Sequence, residues 1–513
     1  MAKFSSREKC SISRPARSRR SEAVQIAIDK GFDPFVRLRL PDLIPAIVFY
    51  VHGQRGAFVY DAIVVGARIS GASVALLLAR LGHRVLLVDR ARFPSPTSSS
   101  TNLIHPPGVH RLRAWGVLDR LNGHTIPHIT SYRLQSGPVG MEAPLPAVED
   151  VDYALSPPRL ALDEALVRCA VDAGVELREE TSVQELLRDE DGTVVGVRGT
   201  TKRSQPFSER ASVVIGADGK NSKVAQLVAA AKYRDQPVLS KSLWTYWDGL
   251  PQPSLVRTYR KNRRHPFTWP THDGLTIIGV AWPTEDFPSP GSDEATDRTV
   301  IDALADVDPE FAAQVRDTKR ADRWLTGSVP NFLRTPTGPG WALVGDASAT
   351  RDPITASGIT YAVMGAEILA DAVTKGLSGQ VPMGRALAGY ARERDRLVID
   401  HYDYTRDYAR IADHTPEERA LIEAMSRSPW HARDMIGLFA TVVPPADFYS
   451  RANFRALFDY LNDEHGLPPK VRLLRWLLHG VPGRPAAPAG LADRLVAASL
   501  GPMGDLLLRS ARP

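Results

Sequence analysis

The stretch Tyr60-Asp61-Ala62-Ile63-Val64-Val65-Gly66-Ala67-Arg68-Ile69-Ser70-Gly71 decides the fold. Its first six residues form a short apolar, β-rich run, the pattern of a strand buried in a parallel sheet. Two glycines punctuate what comes next. Ala72 to Leu81 then reads as a helix of small residues and leucines, closed by Gly82. Arg84-Val85-Leu86-Leu87-Val88 is a second strand, and Asp89 stands at its end, 23 residues after Gly66. Strand, glycine turn, helix, strand and acid in this register predict a βαβ unit that holds a dinucleotide. Gly66 makes the tight turn and Gly71 lets helix and strand approach. The helix N-terminus offers free N–H groups to a pyrophosphate, and Asp89 accepts from a ribose hydroxyl. Arg68 stands where a second glycine usually lies, so its side chain must swing aside or fold over the pyrophosphate as a cation.

Around this unit, 513 residues leave room for two or three domains. With 43% apolar and 24% charged residues, the chain is neither wholly disordered, nor collagenous, nor membrane-embedded. Two cysteines, Cys10 and Cys169, exclude a disulfide framework and a Cys-rich zinc domain, and suit a cytoplasmic location. Cys169 shares an apolar helix stripe with Leu162 and Leu166 and reads as core. The net charge of +6 resides in residues 1–40, which hold ten Lys/Arg and four Asp/Glu; the remainder is balanced. A basic tail is not a basic folded surface, so no nucleic-acid partner is expected. Residues 1–56 read as a disordered or non-native extension: 1–23 are rich in Arg, Ser and Lys without an apolar period. The apolar run Leu43 to Val51 is broken by Pro45 and falls far short of the ~20 residues that span a bilayer.

Two further motifs extend the pattern. Val213-Val214-Ile215-Gly216-Ala217-Asp218-Gly219 is a strand followed by a tight acidic turn, and Trp341-Ala342-Leu343-Val344-Gly345-Asp346-Ala347 repeats it. Pro353-Ile354-Thr355-Ala356-Ser357-Gly358 then opens a helix running toward Thr374. Over roughly residues 60–445 the chain resembles the FAD-dependent monooxygenases of the aromatic-hydroxylase type, a superfamily that also holds flavin-dependent halogenases and geranylgeranyl reductases. Within it, G-A-R-x-x-G (Gly66 to Gly71), I-H-P-P-G-V (Ile104 to Val109) and G-D-A…D-P-I-T-A (Gly345 to Ala356) resemble a bacterial subgroup.

The resemblance implies an α/β fold: a Rossmann-like FAD-binding domain, an inserted mixed β-sheet substrate domain and a helical C-terminal tail. The expected divisions are 57–231 and 331–395 for the FAD-binding domain, 232–330 for the substrate sheet and 396–513 for the tail. It implies FAD held by Gly66, Arg68, Gly71, Asp89, Arg90, Arg159, Asp218, Gly219, Gly345, Asp346, Pro353, Gly358 and Ile359. In that family Arg159 begins a helix that reaches the cofactor. Asp218 and Gly219 serve FAD and the incoming nicotinamide, Asp346 holds the ribityl chain, and Pro353 and Gly358 lie against the isoalloxazine ring. A helix N-terminus at Gly358 would stabilise negative charge on the reduced ring.

The implied activity is an NADH- or NADPH-dependent monooxygenation, in which O2 adds at flavin C4a and a small organic substrate is hydroxylated. The alternatives are a prenyl-chain reductase of the geranylgeranyl type, or a non-catalytic flavoprotein that docks a partner or membrane. Thr360 stands where aromatic hydroxylases often carry Asn, and the Trp-x-Trp-x-Ile-Pro segment of tryptophan-type halogenases is missing. No acid–base residue is assigned; His105 is the candidate, on a loop that in this superfamily approaches the flavin. His105, His110, His124 and His128 lie among prolines without a companion Cys or paired acid, so no metal site is expected. Trp244, Tyr246 and Trp247 are candidates for the substrate pocket. The tail, through Leu473 to Leu478, is expected to pack on the FAD domain or a second copy rather than a membrane, leaving a monomer or homodimer.

Overall fold

The computed structural model describes residues 60–464 apart from 97–99, 122 and 290, together with 469, 472 and 475. Residues 1–56 and, apart from Arg475, the segment Leu473 to Leu478 lie outside the described residues.

The run read as a buried strand is one. Tyr60–Val65 lies at the centre of a sheet, parallel to Val85–Val88 on one side and to Pro206–Gly216 on the other. Trp341–Leu343 continues the sheet beyond Pro206–Gly216, and Glu176–Arg178 beyond Val85–Val88, both parallel. Its β-branched residues are buried because helices cover one face. Ile69–Arg80, Arg159–Asp172 and Gly358–Leu377 pack there around Val64, Leu87, Val213 and Ile215. Cys169 is buried in the same layer. The antiparallel strands Thr181–Arg188 and Val194–Thr201 extend Pro206–Gly216.

A second sheet runs in the order Lys319–Arg320, Ser240–Asp248, Thr276–Pro283, His265–Pro270, Leu255–Arg260, Ser131–Ser136, Val139–Pro144. One face packs on helices Pro416–Ser426, Pro429–Phe439 and Arg451–Glu464, the other on Asp293–Ala305 and Pro309–Arg316. This differs from the expected divisions. Ser131–Ser136 and Val139–Pro144 come from the stretch assigned to the FAD-binding domain, yet belong to the second sheet, where Ser131–Ser136 pairs with Leu255–Arg260 and Val139–Pro144 pairs with Ser131–Ser136. Helix Met383–Tyr408 runs without a break across position 395. Strand pairing joins segments far apart in sequence, and an intact helix carries no composition shift at a boundary. No described helix is long and apolar enough to cross a membrane.

Candidate functional site

The turn after the first strand is built by exclusion. Gly66 sits at φ +100°, and a Cβ there would lie 2.6 Å from the Ala217 carbonyl oxygen. A Cβ on Gly71 would lie 1.7 Å from the Gly66 carbonyl oxygen, so helix and turn touch backbone to backbone. The Asp89 carboxylate accepts from the Ala67 and Ala91 N–H groups, at 2.7 and 2.8 Å, and so ties the second strand end to the turn. Arg68 does swing aside. Its guanidinium donates to the buried Asp163 carboxylate at 2.8 Å and to Ser95 Oγ at 3.1 Å. The other Asp163 oxygen accepts from Arg159 Nε at 3.0 Å, so one enclosed acid orients both arginines.

Asp218 is engaged as well. It accepts from Ser222 Oγ at 2.5 Å and from the Lys223 N–H at 2.6 Å, capping the helix Lys223–Leu227. Asp346 behaves differently. It follows the buried strand Trp341–Leu343 in a short 3-10 turn, and its carboxylate makes no hydrogen bond or ion pair among the described residues. The surrounding protein pushes its pKa up, opposed by the charges of Arg351, Arg159 and Lys220. Its predecessor Gly345, at φ +59°, packs on Ser70 of the first helix, where a Cβ would lie 2.0 Å from Oγ. Arg351 lies over the Tyr361 ring at 3.7 Å, with Nε unpaired among the described residues. Asp352 is buried and accepts from Ser240 Oγ at 2.8 Å and the Ile354 N–H at 3.1 Å; burial pushes its pKa up to about 7. It thereby fastens the Pro353 turn to the second sheet.

Gly66, Arg68, Asp89, Arg90, Arg159, Asp218, Gly219, Asp346, Pro353, Gly358 and Ile359 line one cleft of about 670 Å³. Gly71 and Gly345 do not line it; they shape its walls from behind. Two helix N-termini open into it without a side-chain cap: Ile69–Arg80 behind Arg68 and Gly358–Leu377 behind Ser357. Other helices are capped by Ser292, Asp308, Thr415 and Ser428, whereas Pro106–Ala114, Arg159–Asp172 and Met383–Tyr408 likewise start without a side-chain cap.

At the Pro353 end the cleft adjoins a smaller cavity of about 70 Å³, walled by Trp244, Phe267, Trp269 and Phe439. Of the three aromatic candidates, only Trp244 lines that cavity. Tyr246, on the same strand face, accepts from Asn102 Nδ2 at 2.9 Å, and Asn102 lines the cleft. Trp247 points to the opposite face and packs with Ile278, Val300 and Phe311, because strand side chains alternate.

His105 is fully buried and lines neither space. Its Nε2 donates to the Thr355 carbonyl at 3.0 Å and its Nδ1 accepts from Tyr132 Oη at 2.7 Å. Burial lowers its pKa to about 4, so it is neutral and holds the Pro353–Thr355 turn from behind. His124 pairs with Asp273 and His128 stacks on Tyr153, so neither converges on His105.

A family model described as an FAD binding domain matches residues 59–404. The chain belongs to this FAD-binding family. Among curated proteins it is 25% identical over 367 residues to menaquinone reductase of Mycolicibacterium smegmatis, covering 67% of this chain and 81% of that one. It is 24% identical over 383 residues to rifampicin monooxygenase of Streptomyces venezuelae, covering 72% and 75%. Among solved structures, PqsL of Pseudomonas aeruginosa, a probable FAD-dependent monooxygenase, superposes with TM-score 0.60 at 23% identity, covering 72% of this chain and 99% of that one. Membership and fold make the chain an FAD-dependent oxidoreductase.

The cleft fits FAD on its own chemistry. Uncapped helix N-termini present unpaired N–H donors at two places, matching a pyrophosphate and an electron-rich ring. A carboxylate without a partner suits a polyol chain, and the Gly66 turn leaves no Cβ between backbone and ligand. Asp163, Arg351, Asp352 and Asn102 escaped sequence reasoning. Asp163 lay in plain view one turn after Arg159, at the i,i+4 spacing of an ion pair. The others are single polar residues whose partners come from remote strands.

Proposed function

We propose that this chain is a monooxygenase that uses NADH or NADPH and O2 to hydroxylate a small organic substrate. The chemistry FAD would supply when bound is transfer of two electrons from the nicotinamide to O2, so that one oxygen atom enters the substrate and the other leaves as water. The chain's part is to bind, orient and exclude water. Gly66, the N-terminus of Ile69–Arg80 and the arginines oriented by Asp163 hold the pyrophosphate end. Asp346 would accept from a ribityl hydroxyl. The N-terminus of Gly358–Leu377 would offer its free N–H groups to the ring and favour negative charge there. His105 and Asp352 keep the Pro353 turn in place from opposite sides.

The observation that carries this reading is the aromatic-walled cavity adjoining the cleft at the Pro353 end. A prenyl-chain reductase, the activity named for the geranylgeranyl diphosphate reductase of Rhodobacter capsulatus, 28% identical over 367 residues, would need a long apolar channel. The cavity here is about 70 Å³, too small for such a chain. Anaerobic stopped-flow mixing with NADH and NADPH, followed by oxygen uptake against a metabolite panel, tests the proposal. Bound FAD should be reduced and hydroxylated product should match O2 consumed. FAD that neither nicotinamide reduces, or product formed without oxygen uptake, defeats it.

A further inference from the structure

The cavity beside the Pro353 turn carries no charged residue in its lining. Its walls are the rings of Trp244, Phe267, Trp269 and Phe439, with hydroxyls from Ser242 and Thr258. Two glycines make room for these rings. A Cβ on Gly279 would lie 2.4 Å from Phe267 Cζ, and a Cβ on Gly327 would lie 2.7 Å from Trp244 Cη2. Phe267 and Trp269 stack at 5.2 Å and present π faces. The nearby cations are held elsewhere. Arg260, two residues beyond Thr258, donates to the Tyr408 carbonyl at 2.6 Å and lies over the Tyr408 ring at 4.3 Å. Arg351 belongs to the cleft and covers Tyr361.

We infer that the part of the substrate entering this cavity is a neutral aromatic ring, and that ring-bearing carboxylates are rejected. The inference rests on the preceding reading that the cavity takes the substrate. An ionised carboxylate there would lose its hydration and find no cation, whereas an amide or carbonyl can use the hydroxyls of Ser242 and Thr258. A planar ring gains stacked and edge contacts with the walls that a saturated ring of the same size does not.

Isothermal titration calorimetry on the purified full chain with benzamide, benzoate and cyclohexanecarboxamide reads both halves of the inference, with or without flavin reduction. Benzamide should bind, benzoate at least about a hundredfold more weakly, and cyclohexanecarboxamide more weakly by a factor of about three to ten. Gly327→Ala, which drives a methyl into the Trp244 ring, should weaken benzamide about tenfold with FAD content unchanged. Benzoate or cyclohexanecarboxamide binding as well as benzamide overturns the inference, as does no benzamide binding at millimolar concentration. The proposed activity fails separately: a protein that binds benzamide but whose FAD neither nicotinamide reduces loses the activity and keeps the cavity assignment.

Discussion

The two turns at the cleft each follow a buried strand and turn on a glycine, yet the acids beside them are used in opposite ways. At the end near Gly66, Asp89 and Asp163 are saturated by the chain itself: Asp89 by two backbone N–H groups, Asp163 by two guanidinium groups. At the end near Gly345, the Asp346 carboxylate has no partner among the described residues. Saturated acids fix the shape of a site. An accessible acid left unpartnered on a cleft wall adds nothing to the chain's own stability and remains available to a ligand. The first turn therefore serves architecture, and the second offers the carboxylate for which we propose a flavin hydroxyl as partner.

The largest expected effect breaks the architectural end. Gly71→Ala places a methyl 1.7 Å from a backbone carbonyl that no side-chain rotation can relieve. It should destabilise the protein by about 3 kcal/mol or more, or prevent folding. Gly384→Ala, in helix Met383–Tyr408 with nothing within 4 Å of the added methyl, should instead stabilise by up to about 1 kcal/mol. Urea denaturation of both variants checks the pair. Equal midpoints would show that the turn tolerates displacement and that the close approach is incidental.

A smaller effect probes how the second end is supported. His105 titrates at about 4 in the folded protein against 6.5 when unfolded, because burial disfavours its cation. A base with a lowered folded pKa stabilises fully above pH 6.5 and loses that contribution as pH falls from 6.5 toward 4. The loss amounts to as much as about 3 kcal/mol at 1.36 kcal/mol per unit. His265 and His414, lowered to about 3, act in the same direction, so the wild type should weaken steeply through this window. His105→Gln removes one titrating group, and its urea midpoint should fall less between pH 6.5 and 4.5. Parallel pH slopes for the two proteins would mean that His105 is not held neutral between Tyr132 and Thr355.

Sequence made the first end legible because its constraints are local. A strand, a φ that only glycine accepts and a helix start lie within twelve residues, so spacing alone reports the geometry. The second end is local only in part. Asp346 and Gly358 could be placed by resemblance, but Asp352 acquires its role from Ser240, and His105 from Thr355 and Tyr132. Those contacts span 112, 250 and 27 residues and leave no periodic trace. Trp244 and Trp247 separate for a different reason. Alternation along a strand assigns them to opposite faces, but only the packed helices decide which face is the cavity.

The smallest effect on the folded chain, and the sharpest on the comparison, comes from Asp346→Asn. Asparagine keeps the size and the turn while removing the charge. If the carboxylate accepts from a flavin hydroxyl, a charge-assisted bond worth about 1.5–3 kcal/mol is weakened, and FAD should bind roughly ten- to a hundredfold less tightly. The apoprotein should not suffer, because no hydrogen bond or ion pair among the described residues is lost. The carboxylate stands at an accessible position on the cleft wall, where the surrounding protein raises its pKa against the charges of Arg351, Arg159 and Lys220, so removing the charge costs the apoprotein little. Neutralising it leaves the apoprotein melting temperature level or slightly higher, while that of the FAD-loaded protein falls. An acid that served only the turn would give the same FAD dissociation constant in both proteins. Equal constants, measured by fluorescence as FAD is titrated into apoprotein, would make the two turns alike after all and remove Asp346 from the site.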